Sequence, residues 1–167
     1  VCNRDFSGRI FDYDEVVENA LLNPETDYKL FRTAMLSWDN TARKRLASHV
    51  FHGFSLGLYQ RWLRMNICRS LNKRNDFEQG HLLFINAWNE WAEGAHLEPD
   101  QRYGYGYLEA TRMASLRVNL QQYCAPRVAP YKLAVLIHAF SGQRCFGHIT
   151  LAACERSAVA SLAAELL

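Results

Sequence analysis

The sequence predicts an α/β fold built on a parallel sheet, and three observations predict it. "HLLFINAW" (His81–Trp88) is a nearly continuous apolar run of strand length, the pattern of a strand covered on both faces in a parallel sheet. On either side of it, "SLGLYQRWLRMNICRSLNK" and "YLEATRMASLRVNLQQYC" carry apolar residues at helical spacing. The order along the chain is helix, strand, loop, helix, strand, loop, helix, as in successive βαβ units.

Each element has its own grounds. "FDYDEVVENALLN" places Val16, Val17, Ala20 and Leu21 along one face of a short surface helix, and Asn23-Pro24 ends it. "YKLFRTAML" is a strand candidate, with Leu30, Phe31 and Met35 apolar and Arg32 set among them. "SWDNTARK" leaves that strand as a polar loop containing Trp38, Asp39, Asn40 and Arg43. In the long helix, Leu58, Trp62, Met65 and Leu71 fall close to helical spacing, Ser55 is a suitable N-cap, and "NDFEQG" breaks the helix. The loops Ser37–Arg43 and Asn86–Asp100 both follow strands directly. In parallel sheets, ligands and catalytic groups gather at the C-terminal strand ends, so both loops are expected to open on one face. After "CAPRVAP", Pro126 and Pro130 mark a linker-like break. "YKLAVLIHAF" is a third strand candidate and reads as the start of a second domain; the rest of the tail carries no motif. The expected division is therefore 1–125 and 126–167.

Bulk properties narrow the function classes. A chain of 167 residues can bury a real core. Hydrophobic residues at 49% and charged residues at 22% give an ordinary globular balance. A net charge of +2 is too small to argue for nucleic-acid or membrane-surface binding. Five cysteines, an odd count with no C-x-x-C pair, read as thiols of a reduced, intracellular protein. No apolar run is long enough to span a bilayer. The chain opens on Val1 without a start methionine or signal peptide, which reads as a fragment of a longer protein.

The chemistry concentrates in "FINAWNEWAEGAHLEPDQRYGYGYLEA", Phe84–Ala110. Glu90 and Glu93 are three apart, a spacing that puts both carboxylates on one side of a helical turn or tight loop. Two carboxylates can divide acid and base roles when their environments differ, and glycoside cleavage is the commonest use of such a pair. Trp88, Trp91, Tyr103, Tyr105 and Tyr107 offer flat apolar faces for sugar C–H surfaces. The bland alternative, in which the glutamates cap a turn and the tryptophans fill a core, stays open on these residues alone. Trp38, Asp39 and Asn40 line a sugar pocket or form a turn held by an Asx hydrogen bond. His96 is a site residue or a hydrogen-bonded loop histidine. His96-Leu97-Glu98 opens like a zinc deaminase signature, but its P-C-x-x-C partner is absent. "YGYGY" lacks the third glycine and the context of a dinucleotide fingerprint. No metal site and no cofactor are expected from the motifs. Ser37 and the cysteines have no visible His/Asp partner for a hydrolase triad.

"FRTAMLSWDNTAR" followed by "FINAWNEWAEGAHLEPDQRYGYGYLEA" resembles the C-terminal part of the WbsX-type family, whose members are described as glycosyltransferases or lipopolysaccharide biosynthesis proteins. That family in turn resembles glycoside hydrolase family 99, the endo-α-mannosidases. The resemblance covers roughly Phe11 to Tyr123. The strand beginning at Tyr131 has a shorter resemblance to the opening of a rhamnan-synthesis domain. The main resemblance implies the C-terminal portion of a (β/α)8 barrel within 1–125. It implies that Glu90 acts as base on the sugar 2-hydroxyl, and that Glu93 protonates the leaving oxygen and later activates water or an acceptor. It adds Asn89 to Trp38, Asp39, Asn40, Trp88, Trp91, His96, Tyr103 and Tyr105 as substrate-binding candidates. The partner expected is an oligosaccharide or glycan, or a nucleotide sugar, in the bacterial cytoplasm. The function expected is glycosyl transfer in O-antigen or lipopolysaccharide biosynthesis. The alternatives are an endo-acting, endo-α-mannosidase-like hydrolase and a non-catalytic carbohydrate-binding fragment. No D-x-D metal motif is counted as evident, which favours hydrolase-like chemistry, whereas the family favours transfer. A full barrel needs about 250 residues, so an isolated part of one is expected to expose sheet edges and apolar helix faces, to be poorly stable or to associate, and to be inactive alone.

Overall fold

A computed structural model describes residues 3–28, 30–72, 81–116, 132–138 and 146–152. The elements are β1 (Arg9–Asp12), α1 (Tyr13–Leu22), β2 (Arg32–Met35), α2 (Thr41–Lys44), β3 (His49–His52), α3 (Leu56–Asn72), β4 (His81–Asn86), β5 (Asn89–Glu90), β6 (Ala95–His96), α4 (Gly106–Leu116), β7 (Lys132–His138) and β8 (Phe146–Ala152). The mixed α/β class expected from the sequence is what forms. β2, β4 and β7 run parallel, and β8 closes the four-stranded sheet antiparallel in the order β2-β4-β7-β8. A separate two-stranded parallel sheet joins β1 to β3.

Local chemistry explains the helix boundaries. Asp12 caps α1, its Oδ1 accepting from the N–H groups of Asp14 and Glu15 at 2.9 and 3.5 Å. Ser55 caps α3 through its Oγ, 3.2 Å from the Leu58 N–H. The helix expected over Tyr107–Cys124 is α4 from Gly106 to Leu116; positions 117–124, the breaker at 75–80 and the tail beyond 152 lie outside the described residues. β8 falls in the segment where the sequence offered no motif.

Helices cover one face of β2 and β4. Ala34, Leu36, Leu83 and Ile85 are fully buried and join Tyr13, Val17, Tyr59, Leu63, Ile67 and Ala114 of the helices in one cluster. At about 25 cal/mol per Å² of apolar surface removed from water, this cluster is the main stabilising term. Polar contacts tie the layers together. The Arg69 guanidinium donates to the Leu21 carbonyl at the end of α1, and Asn66 Nδ2 donates to the Thr33 carbonyl at 3.2 Å. Tyr59 and Thr111 join α3 to α4 through hydroxyls 2.8 Å apart. Burial raises the Tyr59 phenol above its ordinary value, so it stays neutral.

Two expectations need correction. β4 was expected to be covered on both faces, yet Leu82, Phe84 and Asn86 are half-buried while Leu83 and Ile85 are sealed. The reason is that α3 packs on one face only among the described residues. The helix read from Phe11 begins at Tyr13, because Phe11 and Asp12 pair with Phe51 and His52 across β1 and β3. Neither strand of that pair shows apolar alternation: β1 is exposed along its whole length, with Ile10 and Phe11 facing solvent.

Candidate active site

The two loops meet at the C-terminal ends of the parallel strands β2 and β4. The peptide bond Asn86-Ala87, at the exit of β4, is cis. The chain then forms a two-residue antiparallel pair, Asn89 with His96 and Glu90 with Ala95. Between them lies a single 3-10 turn, Trp91–Glu93, closed by Gly94. Gly94 has φ +63°, and a Cβ there would meet the Asp39 amide nitrogen at 3.1 Å. Glycine is needed here both for the left-handed conformation and for the close approach of the first loop. That approach is fixed by hydrogen bonds. The Asp39 N–H donates to the Glu93 carbonyl at 2.8 Å, and Ser37 Oγ donates to the Gly94 carbonyl at 2.5 Å. The Tyr107 hydroxyl of α4 lies 3.3 Å from the same Ser37 Oγ, and burial holds that phenol above its ordinary value.

This frame brings Glu90 and Glu93 to one cation. Arg43 Nη1 is 2.5 Å from Glu93 Oε1 and 4.0 Å from Glu90 Oε1. The carboxylate side chains are 15% and 21% exposed, against 55% for Arg43. Both acids are thus largely shielded yet reachable, as general acid/base work requires. Arg43, which the sequence marks only as a loop cation, joins the site here. Its signal was present: a cation in one loop and a carboxylate pair in the other, on loops expected to share a face.

Trp91, the first residue of the same turn, is held by its own contacts. Its ring stacks on His96 with centroids 3.8 Å apart and planes at 14°, and its Nε1 donates to Glu98 Oε2 at 2.6 Å. His96 is buried, with Nε2 2.9 Å from Asp100 Oδ2; its buried Nδ1 makes no hydrogen bond. Burial pushes the Asp100 carboxyl upward. The Tyr103 N–H at 2.5 Å, the His96 ring and the Arg102 N–H outweigh that and hold it below the ordinary carboxylate value. A carboxyl lowered by folding contributes stability above its unfolded value, near pH 4, and loses it as pH falls through the folded value. Urea unfolding followed from pH 6 to pH 2 is expected to lose stability across that window, and Asp100→Asn is expected to flatten the fall.

The other sequence candidates divide. Asn40 is buried and structural: its Oδ1 accepts the His49 N–H at 2.8 Å and its N–H reaches the His49 carbonyl. Asp39 Oδ1 accepts the Thr41 N–H at 2.9 Å, as in an Asx turn, and the Trp38 carbonyl accepts the Phe51 N–H at 2.7 Å. Trp88 is half-buried against the core, and its carbonyl accepts the N–H groups of Leu97 and Glu98. Asn89 lies in β5, beside the pair. Tyr103 packs edge-on against Phe54 and Tyr107, whereas Tyr105 is 62% exposed. Against the expectation of no evident D-x-D motif, Asp12-Tyr13-Asp14 does have that spacing. Its first carboxylate caps α1 and Tyr13 is fully buried. Among the described residues no group of three or more His, Cys, Asp or Glu could hold a metal ion. Nor is any helix among them long and apolar enough to cross a membrane.

A family profile described as glycosyltransferase WbsX matches residues 1–111, which include both loops, the glutamate pair and Arg43. The chain belongs to the WbsX glycosyltransferase family. It is 37% identical over 140 residues to the uncharacterized protein WxcX of Xanthomonas campestris pv. campestris strain B100, and 36% identical over 140 residues to WxcX of a second strain of that pathovar. These alignments cover 83% of this chain but 19% of each relative, so the chain spans about a fifth of their length. No solved structure matches this WbsX-family chain.

Proposed function

We propose that Glu90 and Glu93 are the catalytic pair of a carbohydrate-active enzyme that transfers a glycosyl group during bacterial surface-polysaccharide assembly. The observation that carries this reading is their convergence on Arg43 at the exit of β4, with Trp91 beside them. In the roles suggested by the resemblance to family 99, Glu90 takes the proton of the sugar 2-hydroxyl. That oxygen then attacks the anomeric carbon as the glycosidic bond breaks. Glu93 gives its proton to the departing oxygen, and afterwards takes one from the acceptor hydroxyl that opens the anhydro-sugar, while Glu90 returns its proton to the sugar oxygen.

We further place this site within residues 1–125 as the C-terminal portion of a (β/α)8 barrel. Two features support that architecture: the parallel pairing of β2 with β4, and the alternation along β4. Leu83 and Ile85 face helices, as outer positions of a barrel strand do. The half-buried Leu82, Phe84 and Asn86 would face the interior, which further strands fill.

A hydrolase passes the same intermediate to water, and a non-catalytic module keeps the aromatic face without turnover. Incubating the full-length protein with mannan-type and O-antigen oligosaccharides, with and without nucleotide sugars, separates the three. An extended product supports transfer and a shortened one supports hydrolysis. Saturable binding with no product under either condition would overturn catalysis.

A further inference from the structure

Trp91 borders an open cleft of about 680 Å³, lined also by Pro99, Asp100, Gln101, Arg102 and Tyr105. Neither Glu90 nor Glu93 lines it, so it is a place to hold a ligand next to the pair rather than the pair itself. Three features of its lining point to one kind of occupant.

The first is a pair of exposed aromatic rings. Trp91 is 50% and Tyr105 62% exposed, high values for large apolar side chains, and both border the same cleft. Flat exposed rings lose water readily to the C–H face of a pyranose. Trp91 is also fixed, one ring face stacked on His96 and its indole N–H committed to Glu98, so a sugar would meet a platform already in place.

The second is charge. Asp100 is the one acid in the lining, and its oxygens are occupied by His96 and by the Tyr103 N–H. Arg102 makes no ion pair among the described residues, and its guanidinium carbon lies 5.0 Å above the Tyr103 ring. That contact holds the side chain while leaving its N–H donors for a ligand. The lining is formally neutral, one cation against one acid, but the acid's oxygens are engaged while Arg102 presents a planar donor group suited to a carboxylate.

The third is continuity. Trp91 lies between Glu90 and Glu93 in sequence and borders the cleft, so a chain of sugars passing the acids would reach the cleft with its next units.

We propose that this cleft is a subsite for an acidic sugar unit, a uronic acid or its equivalent, of the same glycan that reaches Glu90 and Glu93. The subsite rests on the reading of that pair as a glycosyl-transfer site, but its test does not depend on turnover. Full-length protein titrated calorimetrically with an oligoglucuronate, and with a neutral glucose oligomer of the same linkage and length, is expected to bind the acidic one about tenfold tighter. Arg102→Gln is expected to erase that preference, and Tyr105→Ala to weaken both ligands about fivefold. Both side chains are exposed, and unchanged circular dichroism would confirm intact folding. Equal affinity for the two oligomers, or an Arg102→Gln protein that keeps the preference, would overturn the subsite. The two readings fail separately. If Glu90→Gln and Glu93→Gln turn glycans over normally while Arg102→Gln loses the acidic preference, the catalytic assignment falls and the subsite stands. If the glutamine variants lose turnover while Arg102→Gln binds as the parent does, the subsite falls alone.

Discussion

Glu93→Gln in the full-length protein is expected to lower turnover of a natural glycan by about 10²–10⁴-fold, the usual contribution of a positioned acid or base, with little change in glycan binding. The change is nearly isosteric. The glutamine oxygen can still accept from Arg43, and the loop keeps the hydrogen bond from the Asp39 N–H because that bond ends on the Glu93 main-chain carbonyl. What the variant loses is the proton. Glu90→Gln is expected to cost a similar factor for a different reason, since the sugar 2-hydroxyl then has no base. A glycoside with an activated leaving group tells the two apart. Such a group departs without protonation, so the Glu93→Gln deficit should shrink toward what is needed to activate the acceptor, while the Glu90→Gln deficit should persist. Unchanged turnover of both substrates by Glu93→Gln would remove it from the mechanism. Equal deficits for both variants on both substrates would contradict the division of roles.

The part of this arrangement that could be read in the sequence is the part set by local pattern. α3, β4 and α4 announce themselves because long apolar periodicities and a buried strand leave strong signals, and Asn23-Pro24 and Ser55 supply helix boundaries. That the two loops share a face follows from parallel strands alone. The pair β1 and β3 was not legible. "RIFD" and "HVFH" are four-residue strands rich in charged or histidine side chains, stabilised by mutual pairing rather than by alternation. Arg43 was seen as a loop residue and not as a site residue, because its partner is fifty positions away and depends on Gly94 admitting the Asp39 backbone. The burial of Asn40 was likewise hidden. Nothing in "WDN" separates a polar side chain facing a ligand from one spending its oxygen on the His49 N–H. Local spacing fixes which elements form, whereas the role of a polar residue is set by the element packed against it.

Tyr13→Ala is expected to destabilise the chain by about 3–5 kcal/mol, the range for deleting a large buried aromatic ring, read as a fall in the urea midpoint at unchanged slope. Tyr13 is fully buried where β1 becomes α1, and its ring meets Phe51 of β3, Phe54 before α3, and Trp62 within α3 at centroid distances of 5.9, 4.9 and 6.2 Å. Its hydroxyl donates to the Met35 carbonyl at 2.7 Å, the last residue of β2. One side chain therefore joins the β1–β3 pair, two helices and the strand that leads into the Ser37–Arg43 loop. Burial raises its phenol well above the ordinary value, so the group remains a neutral donor throughout the working pH range. Tyr13→Phe separates the two contributions. It keeps the ring and leaves the Met35 carbonyl without its donor, which is expected to cost about 1–3 kcal/mol. Because Met35 lies two residues before the loop that carries Arg43, Tyr13→Phe should also loosen the Arg43–Glu93 contact, seen as faster amide exchange at Asp39 and Gly94 than in the parent. A Tyr13→Phe protein with parental stability and unchanged exchange at those two amides would show that the loop is positioned by its contacts with Gly94 alone.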